Sequence, residues 1–334
     1  MKSVDPSHSD APVRFAVLGC ADIAWRKTLP ALEADPGATV VAVASRDLER
    51  ARAMTDRFGG TPVQGYDAVA ERDDVDAVYI PLPALLHAEW IERMLLAGKH
   101  VLVEKPMTAN LADTRRLLDM ARTHGLVVLE NYMFLHHSQH AAVRKTISDG
   151  AIGEVRGFAS TFTIPPKPAG DIRYCPDTGG GAFLDFGGYP VRAAVHFLGE
   201  DLDVVGAVLR RDRDSGVVLS GFGVLSTPDG VPASFRFGME HSYRNHYEFV
   251  GSFGRLELNR VFTPPESWCP ELRLERQDHR EFVDLPPDNQ FANVVAYFVD
   301  RVRGRPDDQS DDRATLAQAW LIEQIYEKAR VVTV

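Results

Sequence analysis

The chain has 334 residues, enough for about two domains, and its 45% apolar and 25% charged content is that of an ordinary globular protein. Its 47 acidic residues against 37 basic ones give a net charge of −10, which argues against general nucleic-acid or anionic-membrane binding but leaves room for a local phosphate pocket. Three scattered cysteines, Cys20, Cys175 and Cys269, form no Cys-x-x-Cys pair; they fit a reducing cytoplasm and no disulfide framework, and no apolar run is long enough to span a bilayer.

Residues 1–12 are polar, carry Pro6 and Pro12, and read as a disordered tail. An apolar run of strand type then enters Gly19-Cys20-Ala21-Asp22-Ile23-Ala24, a degenerate dinucleotide fingerprint in which small residues replace the later glycines. The amides that follow can cradle a pyrophosphate, although a plain strand-to-helix turn explains the loop about as well. The second strand ends in Ser45-Arg46, where an acidic residue usually binds the ribose 2′-hydroxyl of NAD. Serine and arginine suit the 2′-phosphate of NADP(H) instead, and Asp47 is placed to cap the helix over 48–58.

Strands over 77–80, 100–104 and 127–130 alternate with helices over 87–97 and 111–124, which predicts a doubly wound parallel sheet. Ligands of such sheets lie beyond the carboxyl ends of the strands. Gly19, Ser45, Pro81-Leu82-Pro83, Glu104-Lys105 and Asn131 all fall there. In Glu104-Lys105-Pro106 the lysine ends an apolar strand, where burial opposes its charge and makes it a usable proton donor; the proline fixes the exit direction.

After Asn131 the rhythm changes. His136, His137 and His140 come close together, but no carboxylate motif accompanies them, so hydrogen bonding to a substrate or packing is preferred over a metal site. A strand over 155–163 leads into a proline-rich loop with Lys167, then Arg173, Tyr174 and the glycine triplet at 179–181. A helix over 183–198 carries Asp185 and Tyr189 one turn apart on one face. From 202 onward consecutive strands and two turns, Thr227-Pro228-Asp229-Gly230 and Gly251-Ser252-Phe253-Gly254, predict a largely antiparallel sheet. Helices over 291–303 and 313–330 close the chain, with an exposed acidic loop at 307–312 between them. The expected division is a tail (1–12), a dinucleotide-binding domain (13–131) and an α+β domain with an open sheet for substrate binding and oligomerisation (132–334).

Glu104-Lys105-Pro106, the loop at 19–24 and Leu82-Pro83-Ala84-Leu85-Leu86-His87 together resemble the glucose-fructose oxidoreductase / inositol dehydrogenase family of NAD(P)-dependent sugar oxidoreductases. Leu82 and Ala84 depart from that family's Thr-Pro-Asn-x-x-His pattern. Tyr189, where many dehydrogenase members carry histidine, resembles the reductase-type members. Cys20-Ala21-Asp22-Ile23-Ala24-Trp25-Arg26, Glu130-Asn131-Tyr132-Met133-Phe134-Leu135-His136-His137, Ile164-Pro165-Pro166-Lys167-Pro168 and Asn259-Arg260-Val261-Phe262 are similar to the NADPH-dependent dTDP-sugar 3-ketoreductases of antibiotic deoxysugar biosynthesis. The resemblance implies reduction of the C3 ketone of a dTDP-linked keto-deoxysugar by NADPH, with Lys105 as proton donor and Tyr189 orienting the ketone or sharing that role. It implies a cofactor set of Gly19, Cys20, Ala21, Asp22, Ile23, Ser45, Arg46, Leu82, His87, Glu104, Arg173 and Asp185. Asn131, His136, Lys167 and Arg260 join Lys105 and Tyr189 on the substrate side, with Arg173, Lys167 and Arg260 as candidates for the diphosphate. No metal, nucleic acid or membrane partner is implied, and the assembly is expected to be a homo-dimer or homo-tetramer. The rival readings are a dehydrogenase of a free sugar or polyol, and a non-catalytic NADP-binding sensor.

Overall fold

A computed structural model describes residues 11–168, 170–178, 180–305 and 309–334. Residues 1–10 of the expected tail, Gly179 of the glycine triplet, and Asp307 and Asp308 of the acidic run lie outside the described residues. The chain begins with β1 (Val13–Leu18), a π-helical turn (Ala24–Thr28), α1 (Leu29–Ala34), β2 (Ala38–Ser45), α2 (Leu48–Phe58), β3 (Thr61–Gln64) and α3 (Asp67–Ala70). It continues through β4 (Ala77–Ile80), α4 (Ala84–Leu96), β5 (His100–Glu104), α5 (Leu111–His124) and β6 (Val128–Asn131). A 3-10 turn (Met133–His136), α6 (Ser138–Ser148), β7 (Val155–Ile164), a second π-helical turn (Phe183–Gly187) and α7 (Gly188–Leu198) follow. Then come β8 (Asp203–Arg211), β9 (Val218–Ser226), β10 (Pro232–Met239), β11 (Arg244–Gly251), β12 (Gly254–Asn259), β13 (Glu271–Arg276) and β14 (His279–Asp284). Finally come α8 (Gln290–Val302), α9 (Ser310–Lys328) and β15 (Ala329–Thr333).

These elements sort into two units. The first holds the described residues up to Thr108 together with Ala112–Asn131 and Phe291–Ser310; the second holds Ala109–Leu111, Tyr132–Gln290 and Asp311–Val334. In the first, six parallel strands run in the order β3-β2-β1-β4-β5-β6. The central strands are buried on both faces, which is why β1, β4 and β5 read as nearly continuous apolar runs. Strand order reverses between β1 and β4, so the crevice beyond their carboxyl ends is the switch point of the sheet. Helix α8 returns to this unit and sets Phe298 against Phe15 of β1, ring centroids 5.7 Å apart.

The second unit carries a nine-stranded sheet in the order β14-β13-β12-β11-β7-β10-β9-β8-β15. Most of its pairs are antiparallel, but β7–β10 and β8–β15 are parallel. Alternation is plain in β10 and β11, where Phe235, Phe237, Tyr247 and Phe249 point into the core. This is the α/β fold class expected: a doubly wound parallel sheet plus an α+β part with a largely antiparallel sheet.

Some local expectations need correction. The last helix ends at Lys328 rather than Arg330, because the β-branched run Val331, Val332 and Thr333 pairs along β8 as an edge strand. Strands β3, β13 and β14 have no strong sequence signal: β3 contains Pro62, and every residue of β14 is exposed.

Candidate active site

In the first unit the fingerprint loop leaves β1 at Gly19, whose N–H donates to the Ala44 carbonyl at 2.8 Å. Gly19 has φ +109°, and a Cβ there would sit 2.8 Å from Leu82 Cδ2, so glycine is required twice over. Leu82, expected in the cofactor set, is buried and serves as the wall against this glycine. Asp22 pairs with Arg26 on the surface, and Ile23 leads into the π-helical turn. Burial pushes the Cys20 thiol up, partly offset by a hydrogen bond with Ser45.

The end of β2 bears on cofactor choice. The buried Ser45 hydroxyl accepts the Asp47 N–H at 3.2 Å, and Asp47 Oδ1 accepts the Glu49 N–H at 3.0 Å as the cap of α2. The acidic residue nearest a ribose position is thus engaged by its own helix, while Arg46 is exposed. Arg50, which the sequence reading passed over, joins this corner: its guanidinium donates to the Cys20 carbonyl at 2.8 Å. Its place in the first turn of α2, just after Ser45-Arg46, was the available signal. Two guanidiniums and an engaged carboxylate suit a 2′-phosphate better than a bare 2′-hydroxyl.

At the end of β5, Glu104 is 9% exposed, and its Oε1 accepts hydrogen bonds from Tyr79 Oη at 2.8 Å and Asn131 Nδ2 at 2.7 Å. Burial raises the Glu104 carboxyl; the Lys105 charge and the two donors oppose that rise. Burial, with the Glu104 charge beside it, holds the Tyr79 phenol well above its ordinary value. The Lys105–Pro106 peptide bond is cis. His87, expected to bind cofactor, is 1% exposed, with Nδ1 2.8 Å from the Pro106 carbonyl and Nε2 2.7 Å from the Leu82 carbonyl. Both ring nitrogens face backbone oxygens, so His87 braces the loops after β4 and β5 rather than presenting an edge to a ligand. Asn131, placed on the substrate side by the sequence reading, is fully buried against Glu104.

In the second unit Tyr189 is 3% exposed and ringed by Tyr132, Phe134, Phe162 and Phe262 at centroid distances of 5.2, 5.7, 5.3 and 5.4 Å. Its hydroxyl donates to Met133 Sδ at 3.6 Å, a weak acceptor. Behind it, Gln318 Nε2 donates to Tyr132 Oη at 2.6 Å, and a Cβ on Gly188 would meet that oxygen at 2.2 Å. Arg173 lies between Asp185, through Nε at 2.5 Å, and Asp171, through NH1 at 3.0 and 3.1 Å. Burial opposes its charge, but the two carboxylates raise it overall. Arg173 and Asp185, both expected in the cofactor set, thus hold one another, and Asp171 engages a further edge of the guanidinium.

Lys167 is exposed in its loop. Arg260, with φ 53°, stacks over Trp268 and Tyr243 at 4.7 and 5.8 Å. His136 is held down to about 4 by burial, and His140 well below its ordinary value for the same reason. His140 is bonded to Tyr247 Oη at 2.8 Å and lies 3.1 Å from the Val261 carbonyl, which makes it a core residue. Among the described residues no group of three or more His, Cys, Asp or Glu side chains could hold a metal ion, and no helix is long and apolar enough to cross a membrane.

A parallel sheet with a glycine turn at its switch point and a Glu-Lys-Pro strand end defines a nicotinamide-dependent oxidoreductase. Residues 13–132 match the oxidoreductase family with an NAD-binding Rossmann fold, and residues 140–257 match the GFO/IDH/MocA C-terminal domain; the chain belongs to this family. Among its relatives, the dTDP-3,4-didehydro-2,6-dideoxy-alpha-D-glucose 3-reductase of Actinomadura kijaniata is 56% identical over 321 residues, 96% of each chain. The enzyme of the same name from Streptomyces antibioticus is 53% identical over 320 residues, 96% of this chain and 98% of that one. The crystal structure of a 3-ketoreductase from Actinomadura kijaniata, in complex with NADP and TDP-benzene, superposes with a TM-score of 0.94 at 55% identity, covering 97% of this chain and 99% of that one.

Proposed function

We propose that this protein reduces the C3 ketone of a dTDP-3,4-didehydro-2,6-dideoxyglucose with NADPH. The observation that carries the reading is Glu104-Lys105 at the carboxyl edge of the same sheet that presents Gly19, Ser45, Arg46 and Arg50. The relatives at 56% and 53% identity support the substrate, and the NADP complex of the superposed 3-ketoreductase supports the cofactor.

NADP(H), when bound, supplies the hydride. The Gly19 loop receives its pyrophosphate, and Ser45 and Arg46, with Arg50 alongside, receive its 2′-phosphate. Lys105 Nζ holds the proton that the C3 oxygen takes up as that carbon is reduced. An ammonium aimed at a developing alkoxide stabilises the transition state more than the ketone, and general-acid help of this kind is worth roughly 10²–10⁴-fold. Tyr189 orients the ketone through its hydroxyl. Lys167 and Arg260 are the cationic groups assigned to the diphosphate, and His136 to a sugar hydroxyl.

A cytoplasmic setting belongs to the same reading, in keeping with three free cysteines. So does a homo-dimer or homo-tetramer formed on the open face of the nine-stranded sheet. There Val208, Phe222 and Arg236 make a cross-strand row, with Phe222 42% and Val208 45% exposed and Arg236 stacked over Phe222 at 5.2 Å.

The test mixes protein, NADPH and the dTDP-diketosugar and follows loss of NADPH absorbance. Turnover is expected, and Lys105→Ala should remove it while NADPH still binds. No turnover of the diketosugar, together with NADP+ reduction by free sugars, would overturn the reading; near-normal turnover in the Lys105 variant would sink the proton-donor assignment.

A further inference from the structure

Beneath Lys105 lies a buried chain of polar groups that no step above uses. Thr28 Oγ1 donates to Tyr79 Oη at 2.9 Å, and Tyr79 Oη donates to Glu104 Oε1 at 2.8 Å. Asn131 Nδ2 donates to the same oxygen at 2.7 Å. Thr28, Tyr79 and Asn131 are 0% exposed. They come from the helical turn after β1, from β4 and from β6: Tyr79 and Asn131 converge on one carboxylate oxygen, and Thr28 backs Tyr79 from behind. The orientation of Asn131 is fixed by this arrangement: its amide nitrogen must face the carboxylate, and its Oδ1 is buried with no partner. A buried acceptor left unsatisfied is costly, and it persists here because turning the amide would set oxygen against oxygen at Glu104.

We propose that Tyr79, backed by Thr28 and Asn131, is a positioning residue for the reaction: it holds Glu104 as a carboxylate beside Lys105 and so fixes where the ammonium sits. This rests on the ketoreductase reading for its consequence in turnover, but the hold on Glu104 is independent of that reading. The charged and titratable groups at this edge are few. Tyr79 faces Glu104 from β4, and Lys105 is its chain neighbour. His87 on α4 lies 2.8 Å from the Pro106 carbonyl, and the Lys105 charge opposes its protonation. Glu130 on β6 accepts the Met107 N–H at 2.8 Å. A dry carboxyl in this position favours its neutral form, and donors aimed at the ionised form oppose that. A neutral Glu104 would withdraw a negative charge from beside Lys105, and with it one of the forces that place the ammonium.

Tyr79→Phe removes one donor and little shape. Because a hydrogen bond to a charged group is one of the stronger kinds, Glu104 should protonate about 1–2 pH units higher in this variant. Infrared difference spectra of the protein, taken against Glu104→Gln to isolate the carboxyl band, read that shift without any substrate. The pH profile of kcat reads its consequence: the acidic limb should rise by the same amount, with KM for the sugar and Kd for NADPH within about twofold. Thr28→Val acts one bond further away and should move both readouts in the same direction by less, which covers a Tyr79 variant that folds poorly. An unmoved carboxyl band in both variants overturns the proposal. A moved band with an unmoved kcat limb overturns the positioning role. If the native protein turns over no diketosugar, the ketoreductase reading fails instead, and the band alone decides whether Tyr79 holds Glu104.

Discussion

Lowering the pH from 7 to 5 should destabilise the second unit by several kcal/mol, through its half-buried imidazoles. Burial holds His136 and His246 down to about 4 and His196 to about 3, and neighbouring cations add to the effect on each. His196 Nε2 and His246 Nδ1 are buried without a hydrogen-bond partner, and the Glu257 charge near His246 and the Asp311 charge near His136 only partly offset the burial. In the unfolded chain these rings titrate near the ordinary ~6.5. The unfolded state therefore binds more protons throughout this window, and stability rises with pH. It is fully present above about pH 6.5 and is lost as pH falls toward the folded values. At about 1.4 kcal/mol per pH unit, each ring forfeits about 2 kcal/mol between pH 7 and 5. Three rings forfeit about 6 kcal/mol, a large part of the 5–15 kcal/mol typical of a domain. Urea unfolding followed by circular dichroism at pH 7, 6 and 5 measures this directly. The slope near pH 5.5 should correspond to uptake of at least three protons, since His87, His100, His137 and His140 are also held below their ordinary value, and His246→Gln should remove about one of them. Equal stability at pH 7 and pH 5, within about 1 kcal/mol, would refute the reasoning.

Arg46→Asp should weaken NADPH binding about 10–100-fold, the worth of a charge-assisted hydrogen bond, with little effect on NADH; fluorescence titration of both cofactors checks this, and an unchanged preference would reject the 2′-phosphate role. Gly19→Ala should lower stability by about 1–3 kcal/mol and weaken NADPH, since φ is +109° and Leu82 Cδ2 stands 2.8 Å from the added carbon; thermal melts and titration report the two effects. Tyr189→Phe keeps the ring box and loses a hydroxyl held by a sulfur at 3.6 Å. In this variant kcat should fall about tenfold or more, and equal kcat would remove Tyr189 from the reaction.

The parallel sheet was legible because its central strands are buried on both faces and punctuated by glycines and strand-end motifs. Glu104-Lys105-Pro106, Ser45-Arg46 and the Gly19 loop could be placed at strand ends without coordinates, because parallel strands put all their carboxyl ends on one edge. What stayed hidden depends on partners far apart in sequence. Tyr79 reads as one more apolar strand residue until its hydroxyl is seen on Glu104, 25 positions away. Arg173 reads as a free cation until two carboxylates close on it. His87 carried the right motif for a cofactor ligand, yet two backbone carbonyls occupy its ring. Strand β14 escaped notice because an edge strand exposed on both faces shows no hydrophobic period.

The return of α8 to the first unit makes that unit discontinuous along the chain. Phe298 packs on Phe15, Lys27 lies over the Phe291 ring at 5.9 Å, and Arg303 donates to the Ala11 carbonyl at 2.9 Å. The nucleotide-binding half therefore cannot be lifted out as an N-terminal fragment ending at Asn131: such a fragment would leave Phe15 uncovered at the heart of its sheet. On the ribosome, that half waits for nearly the whole chain to emerge before its last helix arrives. Grafting it onto another substrate half would require two splice points rather than one.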